Sequence, residues 1–246
     1  MQRRSVLKAG LGVAASSMAS ALAAAAPAAA TRHESGSGPT ADFPVIPLRT
    51  ALINVDMQNC FVEGYPISAP EGPRVLNRIN RLAAACRAAG ILVIHTAHVL
   101  RADGSNAGVM SEFIPAIRAG MINKGSQASA LHKNLVVDPR DILLEKPRFG
   151  AFQGTDLELI LRAHDVNSVI IGGIATNVCC ETTAREAATR DFRVFFLSDG
   201  TATFDLGGVA AQQLQAATCA TLALFGQVLT VEQISQRIAA AHEHPA

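Results

Sequence analysis

Val169-Ile170-Ile171-Gly172-Gly173-Ile174-Ala175-Thr176-Asn177-Val178-Cys179-Cys180-Glu181-Thr182-Thr183-Ala184-Arg185 carries the decisive reading of this chain. A β-branched apolar run, Val169 to Ile171, reads as a strand. It feeds a Gly-rich turn, and a helical pattern begins at Cys179 and runs to Thr189. A thiol at that junction lies on the axis of the following helix, at its positive end. The unpaired N–H groups and the macrodipole there favour thiolate over thiol. The stretch therefore predicts both an α/β unit and a nucleophile.

Working outward, the same alternation repeats. Leu52 to Asp56 reads as a first strand and Val75 to Ala89 as an amphipathic helix closed by Gly90. Ile91 to His95 is a second strand and Ile142 to Glu145 a third, stopped by Pro147. Thr155 is placed to cap a helix running to Ala163. After the decisive stretch, Val194 to Leu197 is a fifth strand, Val209 to Leu224 a helix, Val228 to Thr230 a short strand and Glu232 to His242 a last helix. Alternating strands and helices imply right-handed crossovers, hence a parallel sheet with helices on both faces. The segment Arg101 to Asp138 lacks strong periodicity and is long enough to be a functional loop or an oligomer contact. No Gly-x-Gly-x-x-Gly follows the first strand and no Walker-type loop occurs, so nucleotide readings lose their main support.

The 246 residues open with Arg3-Arg4-Ser5-Val6-Leu7-Lys8, an Ala-rich apolar stretch to Ala26 and Ala28-Ala29-Ala30. This resembles a twin-arginine export signal over residues 1–30, with small residues at the cleavage site. A membrane anchor is the competing reading, disfavoured by the many Gly, Ser and Ala residues. Residues 31–45 read as a flexible leader and 46–246 as the folded domain. The expected address is periplasmic or secreted, reached through the twin-arginine export machinery. Removing three of the 21 basic residues with the signal leaves 18 against 20 acidic, a net charge of −2. With no basic stripe, nucleic acid is not an expected partner.

Five cysteines, Cys60, Cys86, Cys179, Cys180 and Cys219, match neither a zinc ribbon nor a small disulfide scaffold. An odd count leaves at least one thiol unpaired. Cys86 and Cys219 fall in Ala-rich helical patterns and read as small buried hydrophobes.

Asp56, Lys146 and Cys179 each end a strand-like run. Ligands of open α/β sheets collect at the carboxyl ends of strands near the switch point, where these side chains would converge. Acyl transfer needs this set: Cys179 as nucleophile, Asp56 as the base that takes its proton and returns it to the leaving amine, and Lys146 as the positive charge that keeps both partners ionised. Backbone donors in the turn from Ile174 to Cys179 are candidates for holding a tetrahedral oxyanion. Singly, each residue has a plainer reading: a capping Asp, a surface Lys, a packed Cys. Phe61, Tyr65, Phe149 and Phe152, with Asn177, either line the pocket or pack the core. His95 and His98 read as a hydrogen-bonded structural pair rather than metal ligands, and neither a metal nor another cofactor is expected.

At these residues the chain resembles the isochorismatase-like cysteine hydrolases, in their amidohydrolase branch. Three ordered motifs carry the resemblance: Val55-Asp56-Met57-Gln58-Asn59; Lys146-Pro147-Arg148-Phe149-Gly150-Ala151-Phe152 with Thr155-Asp156-Leu157; and Gly173-Ile174-Ala175-Thr176-Asn177-Val178-Cys179. It spans about Arg49 to Ile238. The resemblance implies a single Rossmann-like three-layer α/β/α domain with a six-stranded parallel sheet in the order 3-2-1-4-5-6. It further implies an Asp56–Lys146–Cys179 triad and a cis peptide between Ile174 and Ala175 that aims the Ala175 and Cys179 N–H groups at the oxyanion. A homo-oligomer, dimer or tetramer, is implied as well.

Departures narrow the reading. Nicotinamidases of this family carry a metal-binding Asp-x-His between the first two strands, and Met57 to Gly90 holds neither residue. His95 or His98 could match only their downstream ligand. Isochorismatases proper cleave a vinyl ether and need no thiol at the position of Cys179. Cys60 and Cys180 replace an Asp and a Val common in the family. The expected activity is cysteine-dependent hydrolysis of a C–N bond in a small amide, ureido or carbamoyl compound through a thioester. A vinyl-ether hydrolase and a non-catalytic thiol redox or binding protein are the alternatives.

Overall fold

The structure, a computed structural model, describes residues 42–243. The export signal, and the leader up to residue 41, lie outside the described residues. Residues at the end of that leader pack against the domain. Phe43 meets the Phe195 ring edge-on at 4.9 Å and Val45 is buried.

Six strands form one sheet: β1 (Thr50–Val55), β2 (Leu92–His98), β3 (Ile142–Lys146), β4 (Ser168–Ile174), β5 (Arg193–Ala202) and β6 (Gln227–Leu229). Every pairing is parallel, and the order is β3-β2-β1-β4-β5-β6. Successive strand residues point to opposite faces, and the apolar runs serve both. Leu52, Ile170 and Phe195 face one core, with Val75, Leu76, Ile79 and Leu82 of α2 (Gly72–Ala88) and Ile234 and Ile238 of α8 (Val231–Glu243). Ile53, Ile171 and Phe196 face the other, with Leu157 and Leu161 of α5 (Leu157–Ala163), Ala184 and Ala187 of α6 (Glu181–Ala188) and Leu222 of α7 (Ala211–Leu222). A strand covered on both sides must be apolar throughout, which is why β1 and β4 are wholly buried.

β1 and β4 are the central neighbours, and from this pair the chain winds outward both ways. The switch point therefore lies beyond their carboxyl ends. Gly173 makes the close approach possible. Its φ is +127°, and a Cβ there would sit 2.0 Å from the Val55 carbonyl oxygen.

Two strands outrun their apolar signal. β2 continues through Thr96-Ala97-His98, and His98 stands opposite Lys146 of β3. β5 continues through Ser198-Asp199-Gly200 after a register shift between Ile171 and Gly173 of its neighbour. Both extensions are polar because they leave the core for the functional end of the sheet.

The aperiodic segment from Arg101 to Asp138 contains two short helices, α3 (Met110–Phe113) and α4 (Pro115–Arg118). It buries Met110, Ile117, Ile122 and Leu135 against the first core. It also straps the loop after β1, which enters a one-turn helix, α1 (Asn59–Val62). The N–H groups of Asn59 and Cys60 donate to the carbonyls of Ala130 and Ala128, and that of His132 to Met57.

Candidate active site

β1 delivers Asp56 at the point where the backbone turns into the left-handed region, φ 54°. Its N–H donates to the carbonyl and the hydroxyl oxygen of Thr96, both at 3.2 Å. The same hydroxyl donates to Asp56 Oδ1 at 2.6 Å. Thr96 thus holds Asp56 by its backbone N–H and by one carboxylate oxygen. Asp56 Oδ2 forms the ion pair with Lys146 Nζ at 2.8 Å and has no further hydrogen-bond donor among the described residues.

Lys146 reaches Asp56 from β3, across β2. Its remaining ammonium hydrogens go to the carbonyls of Arg148 at 2.9 Å and Phe149 at 2.8 Å. All three donors are used, as a buried ammonium requires. Asp56 and Lys146 are both 0 % exposed. Burial pulls the ammonium down, but the Asp56 carboxylate, and after it Cys179, outweigh burial and leave the lysine above its ordinary value. The pair is charged.

Cys179 comes from the far side of β1, after β4. The Ile174–Ala175 peptide is cis. Beyond it Thr176–Cys180 form a single π-type turn, in which the Cys180 N–H reaches the Ala175 carbonyl at 3.1 Å and that of Glu181 reaches Thr176. Thr183 of α6 donates to the Cys179 carbonyl at 2.7 Å and accepts the Ala151 N–H at 3.2 Å, tying this turn to the loop that follows Lys146. The Cys179 sulfur lies within 4.8 Å of an Asp56 carboxylate oxygen.

The resting state of that sulfur departs from the helix-terminus expectation. Burial pushes the Cys179 thiol well above its usual range. Lys146 opposes this, and the Asp56 charge adds to it. Cys179 is the fourth residue of a five-residue π turn rather than a residue facing the mouth of a long helix, so a thiol, not a thiolate, waits beside the carboxylate. Cys180, next in sequence, is fully buried in the second core, and burial raises it too. All five cysteines are free; Cys86 is buried, whereas Cys219 is only half-buried.

His98 joins this cluster. One of its ring nitrogens lies within 4.8 Å of both the Asp56 and the Cys179 ligand atoms. Gln58 holds the backbone of His98, accepting its N–H at 2.7 Å and donating to its carbonyl at 3.1 Å. His95 and His98 therefore do not form a pair. His95 bonds Asn54 at 3.2 Å and Asp141 at 2.9 Å, and three residues along a strand place the two rings on opposite faces. Asp56, His98 and Cys179 are a chemically suitable metal donor set, but the Lys146 ammonium already supplies the positive charge at that spot.

The proposed pocket residues divide. Phe149 is half-buried with its ring edge-on to His98 at 5.7 Å. Tyr65 is half-buried against the first core, and Phe61 is buried within it. Phe152 is spent on packing, against Phe192 at 5.9 Å and beneath the Arg190 guanidinium. Asn177 accepts from the Thr203 hydroxyl at 2.5 Å, and Thr176 bonds Gln215. Thr96 and the role of His98 escaped the sequence reading. Both sit on the part of β2 past its apolar run, and a polar, β-branched continuation of a strand was the available signal.

Fold and cluster define the class: a doubly wound α/β protein with a carboxylate, an ammonium and a thiol buried together at its switch point. The chain belongs to the isochorismatase family, whose isochorismatase domain matches residues 50–233. Among curated relatives, the ureidoacrylate amidohydrolase RutB of Methylorubrum extorquens AM1 is 36 % identical over 173 residues, 62 % of this chain and 69 % of the relative. That of Stutzerimonas stutzeri A1501 is 34 % identical over 215 residues, 79 % and 84 % of the two chains. Among solved structures, a cysteine hydrolase from Pseudomonas syringae pv. phaseolicola 1448A superposes with a TM-score of 0.77 at 34 % identity, covering 83 % of this chain and 99 % of its own. An isochorismatase family protein from Burkholderia thailandensis gives 0.70 at 30 % identity, covering 80 % and 100 %.

Proposed function

We propose that this protein hydrolyses a C–N bond of a small ureido, carbamoyl or amide compound through a thioester on Cys179. The observation that carries the reading is the buried cluster itself: a thiol within 4.8 Å of an Asp56 carboxylate oxygen, in a carboxylate whose Oδ2 has, among the described residues, no partner besides the Lys146 ammonium. Asp56 Oδ2 takes the thiol proton as sulfur adds to the substrate carbonyl carbon. The C=O electron pair moves to oxygen, and in this reading the Ala175 and Cys179 N–H groups donate to it. Collapse breaks the C–N bond, and the proton on Asp56 leaves with the amine or ammonia. Water then adds to the thioester, Asp56 takes its proton, and the acid departs as the proton returns to sulfur. Lys146 stays charged throughout and remains paired with the carboxylate.

The names of the curated relatives make ureidoacrylate the first compound to test. Intact-protein mass spectrometry after mixing with ureidoacrylate and a panel of small amides should find an acyl adduct on Cys179. Ammonia or amine release that survives Cys179→Ala would end the reading. A vinyl-ether hydrolase that uses Asp56 as its acid would instead retain isochorismate cleavage in that variant. We also propose export by the twin-arginine route and assembly into a dimer or tetramer. Cell fractionation with Arg3→Lys/Arg4→Lys, and sedimentation of the purified chain, test these two points.

A further inference from the structure

Two buried acceptors beside Cys179 have no donor of their own. Among the described residues, Asp56 Oδ2 has only its Lys146 ion pair, and His98 Nε2 has no hydrogen-bond partner. The two residues are 0 % and 2 % exposed. Acceptors left unpaired in the interior are costly, and interior water is what commonly satisfies them. Both side chains are held. Thr96 and Lys146 take one carboxylate oxygen of Asp56 each. Gln58 fixes the His98 backbone, and the Phe149 ring stands edge-on against the imidazole.

A carboxylate oxygen of Asp56, a ring nitrogen of His98 and the Cys179 sulfur all lie within 4.8 Å of one another. A water that donates each of its hydrogens at about 2.8 Å spans about 4.4 Å between its two acceptors. One water therefore bridges Asp56 and His98 within this triangle. Seated on the cysteine side of the line between them, its oxygen turns its lone pairs towards sulfur. The carbonyl carbon of a Cys179 thioester sits there, one bond from sulfur. Burial, and then the nearby Lys146 charge, bring His98 down to about 4, so near pH 7 the ring is neutral and one of its nitrogens accepts.

We infer that His98 is a further catalytic residue, acting in the second half of the reaction: with Asp56 it holds the water that cleaves the Cys179 thioester, Asp56 accepting the hydrogen that leaves that water and His98 Nε2 the one that stays. The inference rests on the function proposed above. In this step the water oxygen bonds to the acyl carbon, the C=O electron pair moves to the carbonyl oxygen, and one proton passes to Asp56. The C=O bond then re-forms, the carbon–sulfur bond breaks, and sulfur takes the proton back from Asp56. The second hydrogen remains in the O–H of the acid and faces His98 until the acid departs. His98 neither gains nor loses a proton. Attack by the thiol in the first half has no water to orient, so the loss of His98 falls mainly on deacylation.

p-Nitrophenyl acetate tests this without the natural substrate. Acylation is read as the burst of nitrophenolate, and deacylation as the decay of the acetyl-enzyme by intact mass. In His98→Phe the ratio of the deacylation to the acylation rate constant should fall about tenfold, the scale of one hydrogen bond. His98→Gln, which restores an acceptor oxygen, should recover part of that ratio. An unchanged ratio, including an equal fall of both rates, the mark of a purely structural role, overturns the inference. Added methanol sharpens the test, because its one O–H goes to Asp56 and leaves no hydrogen for His98. Acetyl transfer to methanol should therefore fall less than hydrolysis in His98→Phe, and equal falls overturn the inference. Should that variant fail to fold, a crystal structure of the wild type decides. An ordered water within hydrogen-bond distance of both Asp56 Oδ2 and His98 Nε2 is expected, and an Nε2 bonded to a protein group, or to nothing, overturns the inference. If neither p-nitrophenyl acetate nor any amide leaves an acyl group on Cys179, the proposed function fails and takes this inference with it. An acetyl-enzyme that forms and decays with an unchanged ratio defeats this inference alone.

Discussion

Two histidines three residues apart on β2 have opposite fates. His95 has both ring nitrogens bonded, to Asn54 and to Asp141, and Arg87 closes the group with bonds of 2.9 and 2.6 Å to the two Asp141 oxygens. His98 has no hydrogen-bond partner for its Nε2 among the described residues, and its ring stands beside Asp56 and the Cys179 sulfur. Both clusters join an acid, a cation and an imidazole. In the first, both Asp141 oxygens are hydrogen-bonded and the acceptor left open is the neutral amide oxygen Asn54 Oδ1, whereas in the second, among the described residues, Asp56 Oδ2 has no partner beyond its Lys146 ion pair and His98 Nε2 has none. A carboxylate bonded at both oxygens serves stability, and one with an oxygen left open is suited to a proton that arrives from outside.

The largest effects should separate the two clusters by activity. Asp56→Asn should lower kcat/KM by about 10²–10⁴-fold, the range for losing a general base, and Cys179→Ala should abolish turnover. Asp141→Asn, assayed on its folded fraction, should leave kcat/KM within a few-fold of wild type. Comparable losses at both aspartates would erase the distinction.

Next come the cations. Lys146→Met leaves the Asp56 carboxylate buried without its ammonium and should cost about 3–5 kcal/mol by denaturant unfolding. Arg87 is partly exposed, and water can serve Asp141 in its absence, so Arg87→Met should cost about 1–3 kcal/mol. Equal costs would mean that burial does not govern these pairs.

Acid should reveal His98. Its folded value, about 4, lies below the ordinary 6.5, so between those values the unfolded chain binds a proton that the folded chain refuses. Stability is full above pH 6.5 and declines towards pH 4, by up to about 3 kcal/mol from this residue. Lys146, Asp56 and Arg148 set the charge around it. His95 is also lowered, chiefly by burial, and adds loss of the same sign. His98→Phe should remove only its own share; an unchanged slope would contradict the lowered value.

The smallest expected effect has opposite signs at the two histidines. His95→Phe removes one hydrogen bond from Asp141 and leaves the Asn54 amide without its partner, and should cost about 1–3 kcal/mol. His98→Phe exchanges an unpaired polar group for an apolar ring against Phe149 and should be neutral or mildly stabilising by thermal unfolding. A large destabilisation there would class His98 with His95.

The layers of this domain were legible because covering both faces of a parallel sheet forces unbroken apolar runs such as Leu52-Ile53 and Val169-Ile170-Ile171. Asp56, Lys146 and Cys179 were legible because each closes such a run. The polar ends of β2 and β5 were not, since hydrophobicity marks a strand only where it is in the core. Thr96 and His98 were lost with that boundary, and the clamp on Asp56 with them. The resting state of Cys179 was misjudged for a related reason. A one-dimensional pattern locates a helix start, but burial and a neighbouring carboxylate set the proton, and both come from strands distant in sequence.

The strap over the loop after β1 bears on how the enzyme could be re-engineered. Residues 128–132 hold the backbone of Met57, Asn59 and Cys60, and Ser129 accepts from Gln58 at 2.6 Å. Grafting a whole foreign loop over Arg101–Asp138 to alter selectivity would also displace the anchor of Asp56. Libraries confined to exposed positions near residues 102–120, with the buried Met110 and Ile117 kept, leave that anchor in place, and they are where diversification should begin.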